Sequence, residues 1–327
     1  MAFLTKYGTL WGQLPHTTGS VYWVAPSDTY TVDGRAYTAS NDNDGLSPER
    51  AVRTPNHVVT NLATANVGDV VALLPGTHTL TASVALNKAG LTFIGVPYLP
   101  DPRVERGCAS SPQTILTISA TDEIVNVTAA DNAFINLVIR PITAATGINF
   151  TTAANRLLFR DCLIDMKTPA GHASTRGIAA TGATQAPDRV VIQNCDFVED
   201  NAGTSQGVAV EFAATTNLRF ERNTVYKELA ASSAAWAVAV QFQDNCTGIV
   251  RDNDVMCVGG AAGDAITKGF NGVTHTSAAA ILFARNYKGV NVTLLFDDWA
   301  AADVDLANNY TATVAGGTGG TLITATT

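Results

Sequence analysis

The sequence predicts an all-β chain: a right-handed, single-stranded parallel β-helix of about ten coils with a short N-terminal capping helix. Three observations carry the prediction. Branched residues recur at a fixed period, with Ile148, Ile178, Val208 and Val238 spaced by thirty and Ile266 following after 28. A second ladder of alternating apolar residues runs between them with the same period. No apolar stripe of helical spacing and useful length fits inside a repeat, so each repeat holds short strands alone.

The elements follow in chain order. Residues 1–20 form a leader in which Phe3, Tyr7 and Trp11 recur every four positions; they are docking candidates for a partner, and packing on the first coil is the open alternative. The β-helix spans 21–311, with its N-terminal cap at 47–68. There Thr54 serves as N-cap and Pro55 takes the first helical position. Val58, Val59, Leu62 and Ala63 share the face that plugs the first coil. A strand at Val70–Leu74 and a Pro75-Gly76 turn come next.

The second ladder aligns NRLLFRDCLI, DRVVIQNCDF, NLRFERNTV and GIVRDNDV. Its columns read Leu157/Val190/Leu218/Gly248, Phe159/Ile192/Phe220/Val250, Cys162/Cys195/Asn223/Asn253 and Ile164/Phe197/Val225/Val255. It extends back through Phe93 and Phe134 and forward through Phe283/Asn286 and Leu306/Asn309. Stacking of equivalent positions places Asn223 over Asn253 as an amide ladder and Cys162 over Cys195 as a small apolar step. Just before the corner, Asp161, Asn194, Arg222, Asp252 and Arg285 form a polar column. Register-holding pairs are expected there, Glu221 with Arg251 and Arg222 with Asp252. The Gly/Thr-rich tail, 312–327, extends as an arm or pairs with a neighbour.

Composition excludes several function classes. The formal charge is −8, and no run of Lys or Arg supplies a footprint for nucleic acid or an anionic membrane. The five cysteines form no metal-ligand spacing, their odd number argues against a disulfide framework, and the five histidines are scattered, so neither metal nor cofactor is expected. The N-terminus lacks the apolar core and cleavage site of a signal peptide, which implies synthesis in a reducing cytoplasm. Ser40-x-Asp42-x-Asp44-Gly45 has half the look of a calcium loop, but Ala51 stands where the twelfth ligand belongs, so an Asx-rich turn is expected.

The stretch VYWVAPSDTY…NDNDGLSPERAVRTPNHVV…VGDVVALLPGTHTL…LNKAGLTFIGV, residues 21–97, resembles the opening of pectate-lyase-like β-helix proteins. That superfamily includes pectin lyases, polygalacturonases, epimerases and the spikes and decoration proteins of tailed bacteriophages, and fold alone does not choose among them. Gly171-His172-Ala173 departs from the polygalacturonase Gly-His-Gly, no Arg-x-Lys follows, and neither the calcium-binding Asp cluster nor the catalytic Arg of pectate lyases has a counterpart. The resemblance to the phage branch implies a non-catalytic virion surface protein, a capsid decoration or a tail spike or fibre component. It also implies a homotrimer docked on another virion protein, in contact with host surface glycan.

Two alternatives stand beside this expectation: a polysaccharide lyase or glycoside hydrolase, and a glycan-binding module. The catalytic candidates are Asp165, Glu199, Asp200 and Glu228, each three to five residues beyond the Cys/Asn corner on successive coils. Stacked carboxylates about 5 Å apart, or about 10 Å on alternate coils, would match glycosidase separations. Lys167, His172, Arg176 and Lys227 lie nearby in sequence and suit an acidic glycan. The plain alternative is that these acidic residues solvate turns.

Overall fold

The computed structural model describes residues 18–32, 34–96, 114–141, 146–166, 176–180, 186–199, 207–228, 236–258, 266–273, 280–289, 291–297, 299, 304–311 and 321–323. Phe3, Tyr7 and Trp11 lie outside the described residues, as do Asp200, Lys167 and His172. Three sheets run along the chain, of ten, ten and eight strands, and a hairpin forms a fourth of two. A coil takes one strand from each large sheet in turn; Leu158–Arg160, Leu163–Asp165 and Arg176–Ala180 make one. Each strand pairs in parallel with its equivalents one coil earlier and one later. The chain is a parallel β-helix.

Alternation within each short strand makes the core. On the first sheet the inward row is Phe93, Phe134, Phe159, Ile192, Phe220, Val250 and Phe283, in direct register and fully buried. The rings of Phe134 and Phe159 stack with centroids 5.1 Å apart. On the second sheet Ile164, Phe197, Val225 and Val255 repeat the pattern. Both rows match the sequence ladders.

The corner between these sheets is a single left-handed residue per coil. Asn136, Asp161, Asn194, Arg222, Asp252, Arg285 and Asn308 all have φ between 52 and 57°. Short polar side chains tolerate this region best, because they can bond locally. The next residue points inward, and from Asn223 onward it is asparagine. Asn223 donates from Nδ2 to Asn253 Oδ1 at 3.1 Å, Asn253 to Asn286 at 2.8 Å, and Asn286 to Asn309 at 3.0 Å. Each Oδ1 also accepts the backbone N–H of the preceding coil's asparagine, and each Nδ2 donates to a carbonyl such as Phe220 or Val250. The expected amide ladder therefore exists and follows the column through Asn286 and Asn309. Cys162 and Cys195 continue it as buried free thiols.

One of the two expected pairings in the polar columns holds and the other does not. Glu221 does take Arg251, at 3.1 Å, and also Arg219. Arg222, however, turns to Asn194 on the preceding coil, while Asp252 receives two bonds from Arg285 at 2.7 and 2.8 Å. The left-handed backbone at each corner aims the column one coil earlier than simple stacking suggests.

The N-terminal cap holds with a shorter helix. Thr54 Oγ1 accepts the N–H of His57, Pro55–His57 forms a single turn, and Val58–Leu62 continues as a π turn. Val58 and Val59 are buried over the first coil. Ser40 and Asp44 close Asx- and Ser-type turns on Asp42 and Leu46, so the Asp-rich stretch is a turn. A hairpin, Thr29–Val32 with Arg35–Thr38, goes beyond the sequence reading. With Ala39 and Ala51 it buries Trp23, Ala72, Ile94 and Ile135 on the outside of the first sheet, making a second small core. At the far end Thr321–Ile323 pairs antiparallel with Asn309–Thr311, so this part of the tail closes the chain's own sheet edge.

Candidate functional site

The third sheet carries the interior row from which the repeat was read, and its register differs there. Ile148 pairs with Ile178, but Ile178 pairs with Val210, and Val210 with Val240. Val208 and Val238 pair with each other one step away, opposite Arg176 and Lys268. The equal spacing was a coincidence of loop length, offset by two residues. Val208 and Val238 therefore lie opposite the outward Arg176 and outside the interior core, and the interior row is Ile148, Ile178, Val210 and Val240.

The strands of this sheet from Thr146–Phe150 to Ile266–Val273 are each irregular at one point. Gly147-Ile148 and Gly177-Ile178 are consecutive buried residues, so positions three apart open to the same side. A Cβ on Gly177 would lie 2.6 Å from the carbonyl oxygen of Ala209, which explains a glycine there. The irregularity puts Arg176 and Ala179 side by side on the outer face. Along that face Asn126, Asn149, Ala179, Glu211, Gln241, Asn271 and Asp297 stack in register.

Ala179 interrupts this polar row, and a groove of about 400 Å³ opens over it. Its walls are Glu123, Thr146, Asn149, Arg176, Glu211 and Gln243. Arg176 Nε donates to Glu211 Oε2, and Gln243 Nε2 donates to Glu211 Oε1 at 2.6 Å. The Glu211 side chain is only 3% exposed, whereas that of Arg176 is 41% exposed. A nearly buried carboxylate thus has both oxygens engaged, and it fixes a guanidinium and an amide at the groove wall. What results is a concave surface of hydroxyl, amide, carboxylate and guanidinium groups over a methyl floor. Such a surface suits a polyhydroxylated ligand.

Among the described residues the sequence-predicted carboxylates do not assemble. Asp165 pairs with Val198 and accepts a 2.8 Å hydrogen bond from Arg140 Nε. Glu199 pairs with Lys227, their charged groups 3.6 Å apart and at most 1% exposed. Cys257, the next residue of that row, belongs to the interior core, so the pair faces inward. Glu228 pairs with Val258. The proposed column fails because the three residues lie three, four and five positions beyond their corners. A difference of one residue moves a strand side chain to the opposite face.

Of the groove residues only Arg176 was singled out from sequence. Glu211 left a signal: it is a carboxylate inside the otherwise apolar strand VAVEF. Elsewhere, burial pushes the Cys246 thiol up to about 12, which removes it as a nucleophile. Among the described residues no three His, Cys, Asp or Glu converge as a metal site, and no helix is long and apolar enough to cross a membrane.

Comparison with known proteins places the fold. No protein-family model and no curated protein sequence matches the chain. Among solved structures, pectin methylesterase PemA from Erwinia chrysanthemi aligns over 93% of this chain and 92% of its own, with a TM-score of 0.56 and 10% identity. The chain shares its fold. Pectin methylesterase from carrot gives a TM-score of 0.54 at 11% identity, over 91% of this chain and 85% of the enzyme. A pectin methylesterase solved in complex with a hexasaccharide gives 0.55 at 10% identity, over 92% of both chains. At these identities the likeness is one of architecture.

Proposed function

We propose that the protein is a glycan-recognising β-helix that holds a saccharide chain along the outer face of its third sheet, across Ala179. The observation that carries this reading is the Arg176–Glu211–Gln243 constellation beside a methyl-floored groove. Glu211 orders two donors before any ligand arrives, which lowers the entropy cost of binding. Successive coils are about 4.8 Å apart, so a chain running along the axis meets a new polar residue at each step. A hexasaccharide bound to a fold relative supports this class of ligand.

A catalytic reading draws support from the enzyme names of the fold relatives. On this chain it would centre on Glu211 and Glu123, the carboxylates lining the groove. The virion reading rests on the sequence of the leader, the tail and the small-residue body, and the described residues add no observation in its favour. A virion attachment protein that grips host glycan would satisfy both it and the groove.

The test fills the floor. Ala179→Trp should abolish saccharide binding in titration calorimetry while circular dichroism stays unchanged. Arg176→Gln should weaken binding by about tenfold, one charge-assisted contact's worth. Undiminished binding in a folded Ala179→Trp variant would end the proposal.

A further inference from the structure

The charges around the groove select among glycans. Glu211 is matched by Arg176. Further along the same face, Lys268 and Asp297 are matched to each other at 2.5 Å. Glu123 lines the other side of the groove, and no cation among the described residues pairs with it. Asp122, beside it, is exposed. The groove wall therefore carries the Glu123 carboxylate with no counter-cation among the described residues, and its guanidinium, Arg176, is already committed to Glu211.

We infer that the groove takes uncharged glycans and rejects uronate-bearing ones, with Glu123 as the residue that sets this preference. The inference rests on the glycan-binding reading above. A uronate carboxylate placed over Ala179 would meet Glu123, to which no described residue supplies a counter-cation. Like charges at contact distances repel even in water, and more strongly in a partly enclosed groove. Uncharged hydroxyls face no such penalty and can bond to Asn149, Thr146 and Gln243. The chain's overall charge of −8 acts in the same direction by repelling polyanions at long range.

The experiment measures binding of a panel of uncharged hexasaccharides (of glucose, galactose, mannose and N-acetylglucosamine) against hexagalacturonate, at low and at physiological salt. The expected result is that at least one uncharged hexasaccharide binds at least about tenfold more tightly than hexagalacturonate, with the gap narrowing as salt screens the repulsion. Glu123→Lys should raise affinity for hexagalacturonate relative to that for the uncharged hexasaccharide by about tenfold. Preference for hexagalacturonate in the unmodified protein would overturn the inference and leave the glycan-binding reading standing. No binding of any glycan would overturn both, and an unchanged preference in folded Glu123→Lys would remove Glu123 from its role.

Discussion

Asn253 makes use of its whole amide. Its Oδ1 accepts from the N–H and the Nδ2 of Asn223, and its Nδ2 donates to Asn286 and to the carbonyl of Phe220. Asn253→Ala would strand several buried polar groups at once, each costing about 1–3 kcal/mol. The expected loss is about 3–5 kcal/mol in urea unfolding, and a loss below about 1 kcal/mol would show the ladder to be incidental. The ladder was legible in the sequence because identical amides recur at one offset from an apolar pair. His78 was not legible: it looks like any strand residue, yet it is buried and donates Nε2–H to the Leu74 carbonyl in its neutral form. Burial holds its pKa down to about 4, against an ordinary 6.5. Between these values the unfolded chain binds a proton that the folded chain does not, so stability is full above pH 6.5 and falls as pH drops toward 4. The loss should reach roughly 3 kcal/mol. His78→Leu should flatten that part of the pH–stability curve, and an equally steep curve in the variant would contradict the assignment.

Strand rows were read correctly wherever corners are one residue long, and misread where loops intervene. The first two sheets join through a single left-handed residue, so counting from the corner transfers from coil to coil. Before the third sheet the chain makes excursions of unequal length, which hid the two-residue offset between Ile178 and Val210. The false acidic column arose instead from grouping carboxylates at unequal distances from their corners, whereas the loss of register concealed the groove, since Asn149, Glu211 and Gln243 come together only through the true pairing. Two predictions belong to these elements. Gly177→Ala would push a methyl against the Ala209 carbonyl at 2.6 Å and the Ile164 side chain at 2.8 Å, costing about 1–3 kcal/mol. Glu199→Met would leave Lys227 charged in the interior and cost about 3–5 kcal/mol, whereas the double variant with Lys227→Met should recover most of the loss. Thermal unfolding of the four proteins checks both, and a double variant no better than the single one would show that the pair is not the balanced unit described here.

At the scale of the whole molecule, the solenoid converts a repeated strand into an axial strip, so one substitution per coil writes a surface along its length. Two of the three sheets spend their outer faces on other tasks. The first carries the N-terminal hairpin and a lattice in which Glu221 ties Arg219 and Arg251 together. The second engages Asp165 with Arg140. The third presents an open groove with a preorganised wall. The architecture was legible from periodicity alone, because stacking is the one way thirty residues of short strands can share a core. Function was less so, because it depends on which residues meet across coils. The most direct measurement is a crystal structure with an uncharged hexasaccharide bound. The expected density lies over Ala179, parallel to the helix axis and within hydrogen-bond reach of Arg176 and Gln243. Density on the first or second sheet, with the Ala179 groove empty, would contradict the account.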